Sequence, residues 1–196
     1  EKNVKKVQSL KQTFTMNMQG MQLEGRTLVK GQDMMLNEIS MGGNVAQKFI
    51  VNGDKGSMSG MGGARALSEE ELASMKEEAI IIPEVMYTTE GYEMELKGVD
   101  KKADEAVYVI EVSGPSGDSK TNYYSTESGL LVASVAIQET PQGNVSEETT
   151  YMDYKEVEGV KFPYAMKVAA GPQRIEMSVT EVLVNPKIDD SEFTVE

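Results

Sequence analysis

From Thr13 onward, apolar and polar residues alternate with a period of two. Phe14, Met16 and Met18 fall on one face, against Thr15, Asn17 and Gln19 on the other. Gly20 interrupts, and then Met21, Leu23, Gly25, Thr27 and Val29 alternate with Gln22, Glu24 and Arg26. Runs of this kind predict half-buried strands joined by a tight turn. Met35, Ile39 and Met41 mark one face of the next strand. Gly42-Gly43-Asn44 is a turn, and Val45 to Val51 is a further strand. Asn52-Gly53 closes it with a hairpin signal, because a type I′ turn needs positive φ at both central positions. The Gly-, Ser- and Met-rich stretch Gly56 to Ala66 predicts a short strand and then a mobile loop.

The period then changes. Leu72, Met75 and Ala79 stand at i, i+3 and i+7, which predicts an amphipathic helix over 69–79. Ser68 and Glu71 before it have the spacing of a capping box, and Pro83 stops any extension. Val4, Val7 and Leu10 stand at threefold spacing and predict one or two helical turns at the N-terminal end. Alternation returns at Tyr92, Met94 and Leu96 and over Ala106 to Val112. It continues in Thr121 to Thr126, Leu130 to Gln138, Ser146 to Val157, Val160 to Ala169 and Gln173 to Val184. Gly114-Pro115-Ser116-Gly117, Pro141-Gln142-Gly143-Asn144, Glu158-Gly159 and Gly171-Pro172 supply the turns. Asn185-Pro186 ends the last strand and leaves an acidic tail. Roughly ten or eleven short strands at regular spacing, joined as a meander, predict a single all-β sandwich or barrel covering residues 1–196.

Composition narrows the function classes. The chain has no histidine and no cysteine, which removes Ser-His-Asp triads, Cys-His pairs, thiolate chemistry, disulfides and imidazole metal ligands. A catalytic role, a metal and a cofactor are therefore not expected. The 19 basic and 32 acidic residues give a net charge of −13, opposite in sign to what a phosphate backbone recruits, so nucleic acid is not an expected partner. No apolar run reaches the roughly 18 residues of a membrane-spanning helix. No signal peptide stands at Glu1, and a trimmed chain would lack one in any case. Methionine is abundant, with 14 Met against 4 Phe and no Trp. The apolar surface is therefore soft and adaptable rather than rigid and aromatic.

The order of elements, with one helix inserted after a glycine-rich hairpin and a long meander behind it, resembles the lipoprotein-carrier superfamily (the LolA/LolB-like fold). Asn52-Gly53-Asp54-Lys55-Gly56 is similar to the hairpin before that family's helical lid. The stretch Asp153-Tyr154-Lys155-Glu156-Val157-Glu158-Gly159-Val160-Lys161-Phe162-Pro163 is similar to its late hairpin, which runs here into Ile175 to Asn185. Ile188-Asp189-Asp190-Ser191-Glu192-Phe193 is similar to its C-terminal tail. The resemblance implies a half-closed antiparallel β-barrel with one or two short helices covering the concave face. It also implies a periplasmic or outer-membrane setting, and an acyl chain or lipoprotein lipid moiety as cargo. The wording also resembles domains at the C-terminus of insulinase-like (pitrilysin-type) zinc peptidases of Bacteroidetes. Their H-x-x-E-H site cannot exist in a chain without histidine, so that resemblance implies an accessory domain behind an upstream peptidase domain. The abrupt start at Glu1 is compatible with a cut from a longer polypeptide.

The candidate site is an apolar surface. Phe14, Met16, Met18, Met35, Ile39, Met41, Phe49 and Val51 are expected to line the concave face, with Leu72 and Met75 above them on the lid helix. Met58 and Met61, in the glycine-rich stretch, are candidates for a gate. The competing reading is a solid core between sheet and helix, since every amphipathic strand must bury one face; the chain is then a structural or protein-interaction β-domain. Paired carboxylates at Glu69-Glu70-Glu71, Glu147-Glu148 and Asp189-Asp190 read as solvated charge, because adjacent strand residues point to opposite faces. Tyr123 and Tyr124 read as sheet-packing residues on the same ground.

Overall fold

Hairpin signals at nearly every turn require that strands adjacent in sequence be adjacent in space, and the sheet obeys this with one exception. The computed structural model describes residues 4–87, 91–102, 104–140 and 143–195. The strands are β1 (Ser9–Met18), β2 (Met21–Lys30), β3 (Met34–Met41), β4 (Asn44–Asn52), β5 (Lys55–Gly60), β6 (Gly63–Ala66) and β7 (Glu93–Lys102). They continue as β8 (Glu105–Ser113), β9 (Ser119–Ser125), β10 (Leu131–Thr140), β11 (Gly143–Val157), β12 (Val160–Ala170) and β13 (Gln173–Val184). One helix, α1 (Glu69–Glu78), lies between β6 and β7. All described strands belong to one 13-stranded sheet in the order β6-β5-β4-β3-β2-β1-β13-β12-β11-β10-β9-β8-β7. The exception is β6 and β7, because β1 pairs with β13 at the middle of the sheet, where Met16 faces Met177 and Leu10 faces Val184. As a result, the two edges of the sheet, β6 and β7, are consecutive in sequence.

The expected half-closed, mainly β architecture is therefore present, with more strands than the sequence signals suggested. The Gly56–Ala66 stretch is the hairpin β5–β6 rather than a strand and a loop, with Ser57 paired to Ala66 and Gly60 to Gly63. Its glycines hid the alternation by offering no side chains to alternate. The N-terminal end also departs from expectation. Helical geometry is confined to a 3-10 turn, Val4–Lys6, and Leu10 belongs to β1. The Asn185 side chain accepts from the Gln8 backbone N–H at 2.7 Å, and Asn185 N–H donates to Ser9 O at 2.8 Å. Those bonds hold the start of β1 extended against the end of β13. The turn at Pro141-Gln142 lies outside the described residues.

Both faces of the sheet are covered, by different parts of the chain. On the inner face Leu10, Phe14, Met16, Leu23, Val160, Phe162, Val179 and Val182 form the main core. Gly25 makes room for the Phe14 ring: a Cβ there would stand 2.3 Å from it. On the outer face Leu28, Leu36 and Ile50 are covered by Ile188 and Phe193 of the C-terminal segment. That acidic tail ends in a 3-10 turn, Asp190–Phe193. It is fastened where Asn52 Nδ2 donates to Phe193 O at 3.1 Å and Lys30 Nζ donates to Ile188 O at 3.1 Å. Lys30 also pairs with Asp190, and Arg26 bridges Glu38 and Glu192. Register shifts at Thr13/Phe14, Ile39/Ser40, Leu96/Gly98 and Leu131/Ala133 mark bulges, which sharpen twist and help the sheet curl.

Helix α1 is anchored at two places. The Ser68 hydroxyl accepts from Glu71 N–H at 3.2 Å and the Glu71 carboxylate accepts from Ser68 N–H at 2.8 Å, completing the capping box. Leu67 and Leu72 sit on Gly56, where a Cβ would stand 2.6 and 3.0 Å from their methyls. At the far end the Glu77 carboxylate occupies the space above Gly114 and accepts from Ser116 N–H at 2.7 Å. Ser74 donates to Asp118 at 2.6 Å in the same β8–β9 turn. The helix therefore bridges strands near opposite edges of the sheet.

Two outcomes follow from this packing. Phe193→Ala is expected to cost about 3–5 kcal/mol, as for other fully buried phenylalanines, read as a lower urea midpoint. Gly56→Val is expected to unseat α1. Hydrogen exchange at the amides of Leu72 to Ala79 should then accelerate while that of β1 and β13 does not.

Candidate functional site

After α1 the chain runs along the inner face as Ile80 to Tyr87, with a 3-10 turn at Pro83–Val85. Pro83 fixes φ at the first position of this turn and cannot extend α1. Between this segment and strands β9 to β12 lies a cavity of about 930 Å³, open to solvent. Its volume falls within the roughly 300–1,000 Å³ of small-molecule sites. The lid contributes Ile81, Ile82, Pro83, Glu84, Val85 and Tyr87. From the sheet side come Leu130, Leu131, Val160 and Phe162, an apolar wall that continues into the main core.

The other wall is polar and aromatic. Tyr87, Asn122, Tyr124, Tyr151 and Tyr154 all line it. Asn122 is 1% exposed, and its Nδ2 donates to the hydroxyls of Tyr87 and Tyr124, both at 3.2 Å. Tyr124 in turn donates to Glu84 Oε1 of the lid at 3.3 Å. The Tyr154 hydroxyl donates to Leu131 O at 2.7 Å, and Tyr151 bonds Ser134 and Thr149. Lys120 Nζ stands 6.0 Å from the centre of the Tyr87 ring, within cation–π reach. Burial first, and the nearby Glu84 charge second, raise the pKa of Tyr87, Tyr124 and Tyr154 well above the ordinary tyrosine range. The same causes push Tyr151 up to about 12. Of these four phenols, Tyr124 is the one hydrogen-bonded to Glu84, an exposed carboxylate of the lid.

The residues singled out from sequence lie elsewhere on the sheet. Phe14 and Met16 are buried in the main core, with Met18 and Ile39 packed against it. Met35 and Val51 are buried beneath the lid helix, where Leu72 and Met75 pack on them. Phe49 and Met58 are half-buried cross-strand partners on β4 and β5. Met41 is exposed at the end of β3, and Met61 is 93% exposed at the β5–β6 turn. None of these residues lines the 930 Å³ cavity. Sequence reasoning missed the tyrosine wall, and Tyr124 is a cavity residue rather than only a sheet-packing one. The usable signal was the alternation of Lys120, Asn122 and Tyr124 on one face of β9, with Tyr151 and Tyr154 two strands away.

Among the described residues no group of three or more acidic side chains is disposed to hold a metal ion. No helix there is long and apolar enough to cross a membrane.

A half-open antiparallel barrel with a lidded inner cavity defines a recognisable class. No protein-family model and no curated protein matches the sequence. Solved structures do match. A DUF1329 family protein from Desulfovibrio piger superposes with a TM-score of 0.71 at 14% identity, covering 98% of this chain and 92% of that one. A LolA superfamily protein from Nitrosomonas europaea gives 0.67 at 12% identity, covering 95% and 90%. A putative outer membrane lipoprotein-sorting protein domain from Vibrio parahaemolyticus gives 0.66 at 12% identity, covering 95% and 89%. The chain has the LolA-superfamily fold over nearly its whole length. None of these three structures is described as a peptidase.

The buried phenols make the site readable by titration. Their folded pKa values lie above the unfolded value of about 10, so the unfolded chain gives up these protons first. Stability is unaffected by them below about pH 10 and falls as pH rises beyond it. Of the eight tyrosines, Tyr87, Tyr124, Tyr151 and Tyr154 are expected to contribute no tyrosinate absorbance until pH nears 12 or the protein unfolds. Single Tyr→Phe variants assign each step.

Proposed function

We propose that this chain is a non-catalytic, carrier-like domain of the bacterial envelope that holds an apolar chain, an acyl group or the lipid moiety of a lipoprotein, under its lid. The observation that carries the reading is the 930 Å³ cavity between lid and sheet, apolar along Ile81, Ile82, Leu131, Val160 and Phe162. A setting at the periplasm or outer-membrane surface belongs to this reading, and the name of the Vibrio structure supports it. Each buried CH₂ contributes about 0.8 kcal/mol. A chain of a dozen carbons therefore gains roughly 10 kcal/mol before the several lost on association. The remainder gives reversible binding, as a carrier requires.

The residues expected from sequence have a part in this reading. Met35, Val51, Leu72 and Met75 seat the lid, while Phe14, Met16, Met18 and Ile39 back the wall formed by Val160 and Phe162. Phe49 and Met58 pair across β4 and β5, and Met41 and Met61 are exposed, all outside the cavity. An upstream peptidase domain gains no support from the comparisons and stays with the resemblance alone.

Native mass spectrometry after incubation with an envelope lipid extract tests the proposal. A lipid-sized mass increment is expected, and Leu131→Glu, which puts a charge on the apolar wall, is expected to weaken it while leaving the thermal midpoint within a few degrees. A clean apo mass in every lipid mixture sinks the reading.

A further inference from the structure

Resting on the cavity reading above, we propose that the polar end of the cavity selects a cationic head: the preferred guest is a single-chain amphiphile bearing a protonated amine, seated between the Glu84 carboxylate and the tyrosine rings. The hydrogen-bond arithmetic leads there. A phenol has one proton to donate, and that of Tyr124 goes to Glu84. Tyr124 can then only accept from Asn122, which fixes the amide with Nδ2 toward the hydroxyl, 3.2 Å away. The Asn122 Oδ1 is left buried with no partner in the protein, on a residue 1% exposed in the cavity wall. The amide protons of Asn122 and the proton of Tyr124 are thus committed within the protein, and Glu84, which is exposed, is the acceptor of this network open to a guest.

Charge points the same way. Glu84 has a phenol as its hydrogen-bond partner, and no ion pair is found for it among the described residues. Two lysines also line the wall: Lys161 is the cross-strand partner of Glu156, and Lys120 already stands over the Tyr87 ring, which leaves the rings of Tyr124, Tyr151 and Tyr154 for a guest. Aromatic faces attract ammonium groups, and a carboxylate beside them adds a full opposite charge. An anionic head seated there would meet the Glu84 carboxylate. The apolar wall opposite, Ile81 to Phe162, accounts for the tail and favours an amphiphile over a free amine.

The test compares dodecylammonium, dodecanoate and dodecan-1-ol by titration calorimetry below their aggregation concentrations. Dodecylammonium is expected to bind about tenfold more tightly than either of the others, the order of one cation–π contact with its counter-charge. Glu84→Gln is expected to bring the three within about twofold of one another, a difference of only a few tenths of a kcal/mol. Glu181→Gln, which removes the same charge from β13, should leave the preference intact. Equal binding of dodecanoate overturns the proposal. So does an unchanged preference in Glu84→Gln, or an equal loss in Glu181→Gln, which would make net charge the cause. Binding of all three without preference defeats this inference and leaves the carrier reading standing. Binding of none defeats both.

Discussion

The two edge strands of this sheet are joined by one short stretch of chain, and that connection governs the molecule. Because β1 pairs with β13 in the middle, the free edges β6 and β7 are neighbours in sequence. Whatever links them must cross the mouth of the curled sheet. The link contains α1 and the Ile80–Tyr87 segment, so a lid over the inner face follows from connectivity, before any packing is considered. Packing then decides where the lid sits. Leu67 and Leu72 rest on Gly56 on one side, and Glu77 closes on Gly114 on the other. These contacts hold the wings of an unclosed barrel at a fixed distance, and the space left beneath is the cavity.

A single sheet exposes two faces, and only one can be served by that lid. The outer face is covered by the C-terminal segment, whose Ile188 and Phe193 complete a separate cluster with Leu28, Leu36 and Ile50. Division of labour explains why the inner core can remain incomplete. The outer cluster and the Phe14–Phe162 core supply stability, and the region under Ile81 and Ile82 is left free to hold something else. The polar side of that region is organised by a relay from Asn122 through Tyr124 to Glu84, which links sheet to lid. A network of this sort fixes geometry when it is complete and is costly where one atom lacks a partner. Here the unpartnered atom is Asn122 Oδ1.

Local pattern carried most of the architecture. Alternation located the long strands, because a side chain every second residue must meet either core or solvent whatever the fold. The capping box at Ser68 and Glu71 and the stop at Pro83 located the helix, because both act within one turn of chain. The β5–β6 hairpin escaped, since Gly60, Gly62 and Gly63 carry no side chain to show a period. The first strand was misread over its opening residues, since Val4, Val7 and Leu10 suit a helix locally, and only Asn185, far along the chain, pins that end to β13.

The candidate site divides the same way. By itself the sequence determined a mainly β chain with a lid helix, no histidine or cysteine chemistry, and an inner face rich in methionine. Tertiary structure decided which part of that face is filled and which stays open. Burial depends on what the lid touches: it lands on Met35 and Val51, and passes over the tyrosines of β9 and β11. Tyr87, Tyr124 and the Tyr151–Tyr154 pair stand far apart in sequence. They converge only because β9 to β12 curl beneath a segment from between β6 and β7; local pattern shows the face of β9 that carries Asn122 and Tyr124, but not what that face meets.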